Sequence, residues 1–95
     1  KMPKYGIWSM TKNKEPDLFI KELKNIFKKI VTIPIPNEAA SVSASELNKI
    51  AIKNKFNSEI SNNFFGALRK ISSRKKKLIV CFGSLYSCGS ILNKN

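Results

Sequence analysis

The sequence predicts an α/β fold in which helices flank a mostly parallel sheet, giving three layers. Three observations carry this. Short apolar or β-branched runs alternate with amphipathic stretches of helical period, in the order strand, helix, strand, helix, strand, helix, strand, helix. The last strand run, Leu78-Ile79-Val80-Cys81-Phe82, is apolar throughout, which suits a central parallel strand covered on both faces. That run stops at Gly83-Ser84, a turn leading into the closing segment Leu85 to Leu92, which can form a helix.

The elements follow in order. Gly6 to Met10 is a short apolar run after Pro3, and it ends in the polar stretch Thr11 to Glu15, as a buried strand entering a loop would. Pro16 suits a first helical turn, where its missing N–H costs nothing. Phe19, Leu23, Ile26, Phe27 and Ile30 then recur every three or four residues between lysines, predicting one amphipathic helix from Asp17 to Lys29. Ile30 to Ile35 reads as a second strand stopped by Pro34 and Pro36. Ser43-Ala44-Ser45-Glu46 is a capping box, so a helix is expected from Ala44 that buries Leu47, Ile50 and Ala51. Lys55 to Ile60 is a short strand or an extended linker. Asn62 is the expected N-cap of a third helix carrying Phe64, Phe65, Leu68 and Ile71 and ending near Ser72 and Ser73.

With 95 residues, 42% of them hydrophobic, the chain can make one compact domain and excludes a multidomain catalyst. No apolar run approaches the roughly 20 residues that cross a bilayer, and Lys1 to Met10 has no signal-peptide pattern, so a cytoplasmic, soluble chain is expected. There is no histidine, and Cys81 and Cys88 fall in a strand and a helix, so neither a zinc site nor a disulfide framework is expected. The formal charge of +12 raises nucleic acid as a partner. Against this, only Arg69 and Arg74 among the 18 basic residues are arginines, and the lysines are spread over most of the chain. The dense run Arg74 to Lys77 falls in a turn before a strand and reads as a solvated loop.

The segment with chemical content is Gly83-Ser84-Leu85-Tyr86. It sits at the carboxyl end of the last strand and opens a helix, the position where parallel sheets bind ligands and where unpaired amides favour an anion. Gly83 permits close backbone approach, and the Ser84 hydroxyl can donate to a carboxylate.

This segment resembles the closing strand-Gly-Ser-Leu-Tyr signature of the folylpolyglutamate synthase and dihydrofolate synthase family, part of the Mur ligase superfamily. Gly6-Ile-Trp-Ser-Met with Asn13-Lys14-Glu15-Pro16 is similar to that family's strand-Gly-Met and Lys-Asp loop. Val31-Thr-Ile-Pro-Ile-Pro, Ser43-Ala-Ser-Glu-Leu47 and Phe65-Gly-Ala-Leu68 resemble the elements between. The resemblance runs in one order from about Gly6 to Leu92. It implies that residues 1–95 are part of a Rossmann-like C-terminal domain, lacking the segment that ends in Asp-Gly-Ala-His-Asn. It also implies an ATP-dependent ligase that joins L-glutamate to a folate or pteroate carboxylate through an acyl phosphate, the fragment alone being inactive. ATP and magnesium would be bound by an absent domain, since the chain holds no P-loop pattern.

By the same carry-over Ser84, Gly83 and Tyr86 are the expected substrate-binding residues, and Asn13 and Lys14 belong to a loop of related role. Glu15 replaces the family's Asp, and residues 37–42 hold no arginine where many relatives have one. A missing first strand would leave a gap in the sheet, filled by a second copy or by closing up, so self-association is expected. The alternative reading is a small basic α/β module for RNA or another polyanion, whose binding would fall steeply with salt.

Overall fold

A computed structural model describes residues 2–71 and 76–83. Strand β1, Lys4–Ser9, is followed by a 3-10 turn at Lys12–Lys14 and helix α1, Pro16–Lys21. Strand β2, Lys29–Thr32, leads to helix α2, Ala44–Lys53, and strand β3, Ser58–Ile60, to helix α3, Phe64–Ile71. Strand β4, Leu78–Gly83, ends the described chain. The closing helix expected over Leu85 to Leu92 lies outside the described residues.

The four strands form one all-parallel sheet in the order β3-β2-β1-β4. The chain steps outward from β1 to β3, then reverses and crosses to the far side of β1. Because parallel crossovers are right-handed, that reversal requires the third helix to lie on the opposite face from the first two. The packing agrees. Ile20 of α1 and Leu47 and Ala51 of α2 share a core with Trp8, Ile30 and Phe82, whereas Phe64, Ala67 and Ile71 of α3 pack with Ile7, Val31 and Ile33. Alternate strand residues supply the two faces, as a pleated sheet dictates. This is the predicted three-layer α/β arrangement.

The capping box at Ser43 forms in its first half: the Ser43 hydroxyl accepts from the Glu46 amide at 3.1 Å. The helix is anchored below by Thr32, a fully buried hydroxyl that donates to the Ala44 carbonyl at 2.8 Å. A buried hydroxyl needs such a partner, and here it ties strand β2 to the first turn of α2.

Four expectations are corrected. The helix predicted to reach Lys29 stops at Lys21, and residues 22–26 continue as turns, with Asn25 at φ 70°. Phe19, Leu23 and Phe27 still pack on the core, because successive turns bring side chains back at spacings close to those of a helix. The strand expected to run to Ile35 ends at Thr32, although Ile33 and Ile35 remain buried. Strand β4 is not central but an edge of the described sheet, with Leu78 exposed and Phe82 buried. The gap expected beside the missing strand does not occur: β4 pairs with β1 from Lys4↔Leu78 to Ser9↔Gly83, so β1 is bonded on both sides.

Candidate functional site

All four strands point their carboxyl ends to one edge, and the order reverses between β1 and β4. In open parallel sheets that reversal leaves a crevice in which ligands bind. The residues meeting there are Ser9 and Gly83, which are register partners. Gly83 has φ +92°, a conformation that L side chains rarely adopt, and a β-carbon on it would overlap the Ser9 carbonyl oxygen and the edge of the Trp8 ring. The backbone that Gly83 admits is therefore that of β1. The Ser9 hydroxyl is buried, with no hydrogen-bond partner among the described residues.

An aromatic stack supports this end of β4 from the α1 face. Phe82 lies 4.9 Å from Phe27 and 6.2 Å from Trp8 between ring centroids, and Phe19 stands 6.0 Å from Phe82. Gly6 makes room for it, since a β-carbon there would overlap the Phe82 ring.

The loop leaving β1 is held from the side. The Lys12 amide donates to the Ala40 carbonyl at 2.9 Å, and the Val42 amide to the Met10 carbonyl at 2.9 Å, so the segments after β1 and β2 form a common rim. Asn13 and Lys14 lie exposed in the 3-10 turn on this rim, and the Thr11 hydroxyl donates to Asn13 Oδ1 at 2.7 Å. Glu15 follows with φ 50° and delivers the chain into Pro16 at the first turn of α1. Thus the turn carrying Asn13 and Lys14 follows β1 on the side of the sheet where Gly83 ends β4, the strand paired with β1. Ser84 and Tyr86 lie outside the described residues.

Beside the rim, a cavity of about 260 Å³ opens between the start of α1 and α2, lined by Lys12, Glu15, Asp17, Leu18, Glu46 and Ile50 among others. Neither Asn13 nor Gly83 lines it. Sequence reasoning passed over this cavity, because its acidic residues come from helix starts where the helix dipole alone accounts for them. Asp17 is already committed: Asn54 donates to it at 3.0 Å and Lys21 pairs with it at 3.1 Å, and these contacts, the Asn54 bond first, hold its carboxyl below the usual range. It joins α1 to the end of α2.

Among the described residues no group of three or more His, Cys, Asp or Glu side chains converges, and the sequence holds no P-loop pattern. No helix among the described residues is long and apolar enough to cross a membrane.

Neither protein-family models nor curated proteins yield a match to this sequence. Among solved structures, the fold is similar to folylpolyglutamate synthase of Mycobacterium tuberculosis, whose crystal structures are described as complexes with ADP and AMPPCP. The TM-score is 0.79 at 16% identity, over 97% of this chain and 23% of that one. The chain thus spans about a quarter of the length of that enzyme and shares the fold of the part it covers.

Proposed function

We propose that the chain is a C-terminal portion of an ATP-dependent ligase of the folylpolyglutamate synthase and dihydrofolate synthase type, where it receives the incoming L-glutamate. The observation that carries this is the junction of β1 and β4, where the strand order reverses at Gly83 and the Asn13–Lys14 rim stands alongside. In this reading the Ser84 hydroxyl and the amides after Gly83 donate to the glutamate carboxylate, and Tyr86 belongs to the same motif. Lys14 adds positive charge from the rim and lowers the cost of bringing the anion in.

The remaining chemistry belongs to the rest of the enzyme. ATP, with magnesium, supplies the phosphoryl group that activates the folate or pteroate carboxylate as an acyl phosphate. The present residues orient the glutamate so that its amine can meet that carbon, a positioning role. The isolated chain is then expected to bind glutamate without turning it over.

Titration of the ¹⁵N-labelled chain with L-glutamate tests the reading. The amides of residues 83–86 and of Asn13 and Lys14 should shift together and saturably, and Ser84→Ala should abolish the response while the fold is retained. A spectrum unmoved by L-glutamate, or shifts that Ser84→Ala leaves intact, would remove the assignment.

A further inference from the structure

We propose a second anion site at the other end of the strand order, beyond the carboxyl end of β3, in which Arg69 anchors a small oxyanion of phosphate or carboxylate type. A polar cavity of about 420 Å³ lies at the end of β3, lined by Ile60, Ser61, Asn62, Gly66, Arg69 and Lys70. None of these six is acidic.

The two cations are in different states. Lys70 faces Glu59 at 3.6 Å, and the same carboxylate also pairs with Lys29. Arg69 makes no ion pair or hydrogen bond among the described residues. A guanidinium presents its donors in a planar fork that matches two oxygens of one anion, and in this cavity no protein carboxylate occupies it.

The floor is built to stay open. A β-carbon on Gly66 would overlap the Ser61 hydroxyl, so the absence of a side chain lets α3 sit close over the Ser61 turn. Ser61 is buried, its amide donates to the Thr32 carbonyl at 2.9 Å, and its hydroxyl donates to the Asn63 carbonyl at 3.2 Å. Asn63 Oδ1 accepts from the Gly66 amide at 2.7 Å, which fixes the first turn of α3. The exposed Asn62 amide and the Lys70 ammonium add donors around the cavity.

This site stands apart from the Gly83 junction. Strands β2 and β1 separate β3 from β4, so the two lie roughly 14 Å apart across the sheet at the usual strand spacing. Failure of one reading leaves the other untouched.

The test is titration of the ¹⁵N-labelled chain with inorganic phosphate and, separately, with glutarate, at constant ionic strength. The Arg69 side-chain signal and the amides of residues 61–66 should shift saturably with at least one of them. Saturation by phosphate alone assigns a phosphate ligand, by glutarate alone a carboxylate, and by both an unselective oxyanion site. Arg69→Gln should weaken binding by about tenfold or more, the loss of a charge-assisted bond pair. Lys24→Gln removes the same charge from an exposed position elsewhere and should leave it unchanged. Thermal midpoints of both variants check that the fold persists. Shifts spread over lysines throughout the chain without saturation, or equal effects of the two substitutions, would overturn the proposal.

Discussion

Gly83 rests against the carbonyl of Ser9 so closely that a β-carbon cannot be placed between them, and it does so at φ +92°. Strain and overlap therefore act in the same direction. Gly83→Ala is expected to lower stability by about 2 kcal/mol or more. Urea denaturation measures this, and a variant as stable as the parent would show that β1 and β4 do not meet in this way.

Gly6 offers a second case with an informative sign. Replacing a strand glycine by alanine ordinarily gains about 0.5–1 kcal/mol. Here the added methyl meets the Phe82 ring, so Gly6→Ala should instead cost about 1–3 kcal/mol. Combined with Phe82→Leu, the two costs should sum to less than their separate values, because the smaller side chain vacates the contested space.

Glu59 links stability to acid. Its carboxyl is held below its ordinary value of 4.5, chiefly by the hydrogen bond from Lys29, with Lys29 and Lys70 adding attraction. A depressed folded pKa means the contribution is complete above the unfolded value and is lost as pH falls through the folded one. Urea midpoints of the parent should decline over that acid range more steeply than those of Glu59→Gln. The pair is partly exposed, so the difference should stay within about 1 kcal/mol. Parallel pH profiles for the two proteins would show that Glu59 is not so engaged.

Ser43→Ala should cost about 1 kcal/mol by leaving the Glu46 amide without its acceptor. In a domain of this size that lowers the thermal midpoint by roughly 4–8 °C. Ser45→Ala, an exposed position within the same helix, serves as the control and should change little.

The parts of this fold that could be read from the residues are those determined locally. Helix α2 begins at Ala44 because Ser43 and Glu46 are three residues apart, a relation that needs nothing else from the chain. Helix α1 could not be bounded that way. Phe19, Leu23 and Phe27 keep a helical spacing, yet Asn25 adopts a left-handed conformation and only turns follow Lys21, since a short segment must return the chain to the start of β2. The apolar run of β4 identifies a strand but not its neighbours, which are set by pairing with residues at the other end of the chain. The site divides similarly. Gly83 is visible as a turn glycine, while its partner Ser9 is a long-range fact. Arg69 is one of 18 basic residues until the cavity beside it is seen.

The pairing of Lys4 with Leu78 joins residues 74 positions apart, and the whole outer side of β1 depends on it. Closing so long a loop comes late and slowly, because its entropy must be spent before any ladder bond forms. During synthesis β1 would keep one side open until residues 78–83 had been made. That interval, more than the finished structure, is when this protein is most exposed to aggregation, and early chaperone capture would act on β1.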